Sequence, residues 1–235
     1  MITEIAKDIY ITKPNSTLDR PVVGIIGLAN GYMLFDAGAS RKHAQEIKND
    51  LRNCNITMPR LAVISHCHSD HWFGTMEFPV IAMAHAQCMT EIDKMIKLDW
   101  SKIGFQKRVD SGTESIELGS ILDIEYGRNR NTIKLEKPEI SYDGIVKVDG
   151  KFGDIIISHI ESDHSPGCSV LFDQSSRVLF LGDLLYVRSN DDIVIDTMLD
   201  RLFSFGADQY IDSHYDKVMT RNEVKEYIHD YVGQI

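Results

Sequence analysis

One short motif carries four side chains of the kinds that bind metal ions. It reads HCHSDH, begins at His66, and directly follows a strand predicted at Leu61–Ser65. Side chains at positions i and i+2 of an extended segment point to the same side, so His66 and His68 can reach one ion. Asp70 and His71 come next and can turn toward a second ion nearby. Imidazole and carboxylate donors at this density predict a metal site.

Simpler interpretations exist for single members of the motif. A lone histidine is often a hydrogen-bonded polar residue, and Asp70 could cap the helix that follows. Four ligand-type side chains in six residues, placed right after a buried strand, favour metal binding over capping. Cys67 lies between two ligands, but on an extended segment it points away from both, so we expect it to pack inward.

Three more candidate ligands follow predicted strands in the last third of the chain. They are His164, Asp183 and His214. Taken singly, they could be a loop histidine, a turn residue and a helix cap. Functional groups at strand exits along one sheet edge are what an open α/β site requires. Together with the motif they make seven ligands, which is the number that two ions need.

The elements that must position these ligands repeat along the chain. The first 40 residues predict β-hairpins, and Ser40 is an N-cap candidate for a helix near 41–52. The last third repeats hairpin strands followed by a helix, a strand and a final helix. This pattern predicts a layered α/β fold with two similar halves. No linker rich in Pro, Gly or Ser interrupts it, so we expect one domain over residues 1–235.

The stretch from about 99 to 150 is less regular than the rest and contains the main basic run, which comprises Arg128, Arg130, Lys134 and Lys137. Such a run usually lies on a solvated loop. The other interpretation is an insertion at about 99–137 that covers the substrate pocket, because the stretch is longer than a simple connection needs.

Composition limits the classes of function. The 235 residues carry 25 basic and 35 acidic side chains, a net charge of −10. That balance argues against a broad nucleic-acid or anionic-membrane surface. We find no apolar run long enough for a membrane span, and the four cysteines show no paired spacing. Because charged residues stand where a signal peptide needs an apolar core, we expect no export by that route. We therefore expect a cytoplasmic protein that acts on a small molecule, with no nucleic-acid or membrane partner. Its oligomeric state is not encoded in any pattern that we recognise.

The complete set of ligands resembles the metallo-β-lactamase superfamily. The similarity spans positions 36 to 214 and includes Asp36, where the family has a structural aspartate at a strand end. It implies a four-layer αβ/βα sandwich. It also implies two ions, one held by His66, His68 and His164, the other by Asp70, His71 and His214, with Asp183 bridging. His159 competes with His164, but His164 precedes Ser-Pro-Gly as in the family pattern.

The ligand set also limits the chemistry. Imidazoles and carboxylates suit two Zn²⁺ ions first, and also Fe²⁺ or Mn²⁺. Two such ions can turn a bridging water into a hydroxide nucleophile, while Asp70 orients it and passes a proton to the leaving group. Tyr186, three residues after Asp183, has the spacing of the lactonase branch of the family, where a tyrosine hydroxyl supports the substrate carbonyl. The alternative is a tyrosine of the core or the pocket rim.

We therefore predict a binuclear metal-dependent hydrolase of a small carboxylic ester, lactone or thioester. The first alternative is a phosphodiesterase that uses the same ions. The second is a non-hydrolytic protein, either a mononuclear iron oxygenase or a metal-binding sensor. A flavodiiron protein is disfavoured, because His68 stands where those proteins carry Glu. A glutathione thioesterase of the glyoxalase II type usually has a further C-terminal helical domain, and only 21 residues follow His214 here.

Overall fold

The computed structural model of the protein describes residues 1–127, 129–188 and 191–232. Arg128 of the basic run therefore lies outside the described residues. None of the described helices is both long and apolar enough to cross a lipid bilayer. The strands are β1 (Ile2–Ala6), β2 (Ile9–Thr12), β3 (Gly24–Leu28), β4 (Gly31–Phe35), β5 (Leu61–Ile64), β6 (Ile81–His85), β7 (Ile140–Tyr142), β8 (Val146–Asp149), β9 (Asp154–His159), β10 (Ser169–Asp173), β11 (Val178–Gly182), β12 (Gln209–Asp212) and β13 (Val218–Met219). The helices are α1 (Arg41–Asn53), α2 (Ser69–Trp72), α3 (Ala86–Met95), α4 (Lys102–Asp110), α5 (Ile116–Tyr126), α6 (Asp192–Phe203) and α7 (Arg221–Val232).

The strands form two sheets. The first runs in chain order from β1 to β7, and the second has the order β13-β12-β11-β10-β9-β8. In the first sheet β1 to β4 are antiparallel neighbours, and β4 to β7 are parallel. In the second, β8 to β11 are antiparallel, β12 is parallel to β11, and β13 is antiparallel to β12.

Three apolar cores separate four layers. The central core lies between the sheets and joins Ile26, Met33 and Phe35 of the first to Leu171 and Phe180 of the second. The first outer core packs α1 and α3 to α5 on the first sheet, and the second packs α6 and α7 on the other. The predicted four-layer αβ/βα sandwich is confirmed.

Helix α1 shows how the sequence specifies one of these outer layers. Ser40 caps its first turn by accepting a hydrogen bond from the backbone N–H of His43. Its buried face includes Ala44, Ile47 and Leu51, which recur at intervals of three and four residues. This apolar stripe packs against the first sheet, as the sequence pattern predicts.

The two sheets contain the same sequence of elements. In the first, the hairpin β3–β4 leads through α1 to β5, which lies parallel to β4. In the second, the hairpin β10–β11 leads through α6 to β12, which lies parallel to β11. The predicted similarity of the two halves therefore has a concrete form, with β4 and β5 corresponding to β11 and β12.

The stretch that shows no pattern in the sequence is more regular than expected. It contains helices α4 and α5 and strands β7 and β8. Both helices have an interior glycine, Gly104 and Gly119, which weakens helix propensity. Exposed Ile116 and Ile124 of α5 also blur its apolar stripe. The expectation of an irregular region was wrong for this physical reason.

Candidate metal centre

All seven predicted ligands come together where strands of both sheets end. The HCHSDH motif follows β5, His164 follows β9, Asp183 follows β11, and His214 follows β12. Asp183 immediately follows Gly182, which has a φ of +59°. An added Cβ at Gly182 would lie 2.8 Å from Cβ of Ser65. Glycine thus allows the end of β11 to approach the start of the motif.

The first metal group consists of His66, His68, His164 and Asp183. Nε2 of His164 lies 3.2 Å from Nε2 of His66 and 3.1 Å from Nδ1 of His68. Oδ2 of Asp183 lies 3.5 Å from Nε2 of His164. Ligands held tetrahedrally at about 2.1 Å from an ion are roughly 3.4 Å apart. The four donors have the separations that one ion requires.

Hydrogen bonds to the ring nitrogens that point away from the other ligands decide which nitrogens of this group carry lone pairs. Nδ1–H of His164 donates to the carbonyl of Tyr186 at 2.9 Å. The hydroxyl of Ser65 donates to Asp36, so it accepts from Nδ1–H of His66 at 3.0 Å. The Nε2 atoms of neutral His66 and His164 therefore bear lone pairs that face each other. A cation between them removes this repulsion, so the donors fit a metal ion.

Burial keeps the three imidazoles of the first group neutral. It is the main reason that the pKa of His66 lies well below its ordinary value, and His71 adds to the shift. Burial, followed by the neighbouring His164, lowers the pKa of His68 to about 4. The pKa of His164 is also lowered, mainly by burial. At neutral pH these three imidazoles are available as uncharged ligands.

The second metal group consists of Asp70, His71, His214 and the shared Asp183. Nε2 of His71 lies 2.9 Å from Oδ2 of Asp70 and 3.3 Å from Oδ1 of Asp183. Nε2 of His214 lies 3.2 Å from Oδ2 of Asp70 and 3.4 Å from Oδ2 of Asp183. Among the described residues, the buried Nε2 of His71 and Oδ1 of Asp183 have no hydrogen-bond partner. Buried polar atoms rarely lack a partner, so these two atoms also fit a site in which they bind a metal ion.

Carboxylates dominate the electrostatics of the second group. Burial disfavours a charged imidazole, but Asp70, Asp183 and Asp36 together raise the pKa of His71 well above its ordinary value. Burial also opposes charge on His214, yet Asp183 and Asp70 raise its pKa to about 10. Although burial favours their neutral forms, nearby imidazoles lower the pKa values of Asp70 and Asp183. At neutral pH these carboxylates are therefore paired with protonated imidazoles, whose protons a bound metal cation would replace.

Asp36 fixes the motif from behind. It is completely buried and has a φ of +63°. Its carboxylate accepts from the backbone N–H and the hydroxyl of Ser65, at 2.7 and 2.9 Å. It also accepts from Nδ1–H of His71 at 2.7 Å. These contacts hold His71 with Nε2 toward the second metal group.

Asp70 does not cap the helix that follows the motif. The N-cap position of α2 belongs to His68, and Asp70 lies inside the helix. Its carboxylate faces His71 and His214 instead.

Cys67 is buried, and its Sγ lies 3.2 Å from Oγ of Ser165. His159 stacks on His85 with a centroid distance of 4.2 Å, away from the ligands.

A cavity of about 440 Å³ opens over the two groups. Its size suits a small molecule. No aliphatic side chain is among the described residues that line it, which are Ser16, Asp19, His68, Asp70, His164, Asp183, Tyr186, Arg188, His214 and Tyr231. The sequence interpretation missed Ser16, Asp19, Arg188 and Tyr231, because each is an isolated residue of a loop, turn or helix and has no spacing signal.

Tyr186 lies on the wall of this cavity, but its hydroxyl is directed elsewhere. It donates to Oδ1 of Asp212 at 3.0 Å and accepts from the hydroxyl of Tyr227 at 3.0 Å. Asp212 is completely buried, and burial, followed by Asp183, raises its pKa to about 7. Its Oδ1 also accepts from the backbone N–H of His214 at 2.9 Å. In this arrangement Tyr186 supports the His214 strand end rather than donating into the cavity.

The segment at about 99–137 does not line the cavity at any described position. Its helix α5 contacts α1 and the 3₁₀ turn Ser16–Leu18. That turn does contribute to the cavity wall through Ser16. A direct cover over the pocket is therefore not seen among the described residues, and control of substrate selectivity by this segment stays a prediction.

Comparison with known proteins gives one family and one fold. The model of the metallo-β-lactamase superfamily matches residues 17–228. No curated protein sequence matches the chain. A metallo-β-lactamase family protein from Thermus thermophilus has 14% identity and a TM-score of 0.68, with 98% of this chain and 81% of that chain covered.

Two further solved structures have the same fold. A metallo-β-lactamase from Pseudomonas aeruginosa, solved in a mono-zinc form, has 14% identity and a TM-score of 0.66 over 100% of this chain and 95% of that one. A stereoselective inverting sec-alkylsulfatase from Pseudomonas sp. has 15% identity and a TM-score of 0.67 over 98% of this chain and 40% of that one. At these identities the structures establish similarity of fold alone.

Proposed function

The chain belongs to the metallo-β-lactamase superfamily, and we propose that it is a binuclear metal-dependent hydrolase of a small carboxylic ester, lactone or thioester. The observation that carries this proposal is the convergence of seven ligands into two groups that share Asp183. Zn²⁺ suits the nitrogen-rich first group best, and Fe²⁺ or Mn²⁺ also accept these donors. When bound, two such ions polarise a carbonyl oxygen and activate water as a nucleophile near neutral pH.

The chain's own residues supply positioning and proton transfer. Asp183 reaches both groups, with Oδ1 toward His71 and Oδ2 toward His164 and His214. Asp70 lines the cavity and is held ionised by His71, so it can accept a proton at Oδ2 and pass it to a leaving oxygen or sulfur.

The cavity wall supports a small and polar substrate. Arg188 is exposed on this wall, and Tyr231 contributes an aromatic face. The two can orient the part of the substrate that does not react, the first through charge and the second through stacking. The volume of about 440 Å³ lies in the range of pockets that bind small molecules.

A substrate panel tests the proposal. The protein is loaded with Zn²⁺, Mn²⁺ or Fe²⁺ and given chromogenic lactones, carboxylic esters, thioesters and phosphodiesters. We expect turnover of at least one carbonyl substrate, and loss of that turnover on chelation and in His71→Ala. The matched control is His229→Ala on α7, which removes a histidine outside both metal groups.

Each other outcome contradicts the proposal in a recognisable way. Turnover of phosphodiesters alone would replace it with a phosphodiesterase. A single bound iron with oxygen consumption and no hydrolysis would indicate a mononuclear oxygenase. Reversible metal binding without turnover of any substrate class would indicate a metal sensor.

A further inference from the structure

Asp19 occupies a strained position beside the second metal group. It ends the 3₁₀ turn Ser16–Leu18 in the left-handed conformation, with φ 49° and ψ 41°. Asn15 and Arg20 on either side of the turn exchange backbone hydrogen bonds at 2.9 and 3.0 Å. This conformation is uncommon for residues other than glycine, although aspartate and asparagine adopt it more readily than most, and here the surroundings hold it in place.

The surroundings that impose it are a buried ion cluster and a link to the His214 strand. Arg20 is 6% exposed, and its guanidinium binds Glu125 and Glu46 at 2.7 Å each. The backbone N–H of Val22 donates to the carbonyl of Ser213 at 2.7 Å. The loop that carries Asp19 is therefore fixed to the residue directly before His214.

Asp19 faces the remote ring nitrogen of His214. Its Oδ1 lies 3.8 Å from Nδ1 of His214, while Nε2 of that ring faces Asp70 and Asp183. Three other ligand rings have an oxygen at the remote nitrogen, namely Ser65 for His66, Asp36 for His71 and the Tyr186 carbonyl for His164. The side chain of Asp19 is 47% exposed, so it can move the small distance to hydrogen-bond contact.

From this geometry we propose that Asp19 is a positioning residue for the second metal ion, acting as the outer carboxylate of His214. It orients the ring and makes Nε2 a better donor, as carboxylate partners of metal-bound histidines do. The inference rests on the proposed binuclear function. Asp19 then does for His214 what Asp36 does for His71, although Asp19 ends a 3₁₀ turn and Asp36 follows strand β4.

Metal titration of the purified protein tests this inference. Apo-protein is prepared by chelation, and Zn²⁺ is added against a chromophoric competitor to obtain the two dissociation constants. Asp19→Asn keeps the size of the side chain, and asparagine also tolerates the left-handed conformation. We expect the Kd of the second ion to rise by about 10- to 100-fold. The Kd of the first ion should stay within about twofold, and the Tm of the apo-protein should be unchanged.

The matched control is Asp216→Asn. Asp216 also lies near His214 in the sequence but pairs with Lys13 at 2.9 Å on the surface. If lost negative charge alone weakened the second ion, both variants would weaken it equally, and the inference would be overturned. Wild-type affinity for both ions in Asp19→Asn overturns it too, while leaving the binuclear hydrolase intact. A wild type that takes up one ion instead contradicts the proposed function itself, which separates the two failures.

Discussion

The two metal groups share Asp183 but differ in their other donors and in the protonation of their imidazoles. In the first group the outer partners of His66 and His164 are neutral oxygens, a hydroxyl and a backbone carbonyl. In the second group Asp70 is itself a donor, and the outer partner of His71 is the carboxylate of Asp36. Burial leaves the imidazoles of the first group neutral, whereas carboxylates favour protonation of the imidazoles of the second.

This difference assigns separate tasks to the two groups. The nitrogen-rich first group favours a borderline ion such as Zn²⁺, while carboxylates also accept harder ions. The second group also places Asp70, a side chain able to move protons, on the cavity wall. We therefore expect the first group to dominate metal selection and the second to dominate proton transfer. Substitutions should separate these tasks.

The largest effect is expected at the shared residue. Asp183→Ala removes a donor from both groups and leaves the imidazoles of both without their common carboxylate. Both ions should bind more weakly, and kcat/KM should fall by about 10³-fold or more, because a metal ion contributes several kcal/mol to the transition state. Metal analysis and kinetics of the same samples check this. Two tightly bound ions in the variant would contradict the bridging role.

A smaller loss is expected at Asp70. Asp70→Asn keeps the size of the side chain but removes its charge and its ability to move a proton. With metal at saturation, turnover should fall by about 10²-fold or more, while the first group keeps its ion. Steady-state kinetics measures the change. A variant near the wild-type rate would reduce Asp70 to a residue of α2 with no chemical role.

The smallest kinetic effect is expected at Tyr186. Because its hydroxyl donates to Oδ1 of the buried Asp212, Tyr186→Phe should lower the free energy of unfolding by about 1–3 kcal/mol. The kcat on carbonyl substrates should stay within about threefold, since the hydroxyl does not donate into the cavity. Thermal unfolding and kinetics check the two parts. A fall in kcat of about a hundredfold with unchanged stability would instead make the hydroxyl a donor to the substrate, worth roughly 3 kcal/mol.

The sequence predicted those parts of the molecule that rest on local spacing. The motif at His66, the Ser40 cap of α1 and the hairpin strands could all be recognised from neighbouring residues. Helices α4 and α5 could not, because their glycines and scattered apolar residues hide the helical period. Pairing of the strands into two sheets is a long-range property that no local pattern reports.

The candidate site also has residues that local spacing predicts and residues that it does not. The seven ligands could be named because several follow strands and match a family pattern. Asp19 and Arg188 could not be named, since each is a single charged residue outside any spacing pattern. The path of the turn that carries Asp19 depends on distant contacts such as the Arg20–Glu125 ion pair. For Tyr186, spacing placed the ring near the cavity, but the direction of its hydroxyl depends on Asp212, 26 residues away.

Metal content per chain tests the central claim most directly. The purified wild type, saturated and freed of excess metal, should hold close to two transition-metal ions, measured by inductively coupled plasma mass spectrometry. His164→Ala should lose mainly the ion of the first group, and His214→Ala mainly the ion of the second, so each should retain about one. A wild type that holds a single ion, with the same content in His214→Ala, would contradict the binuclear account.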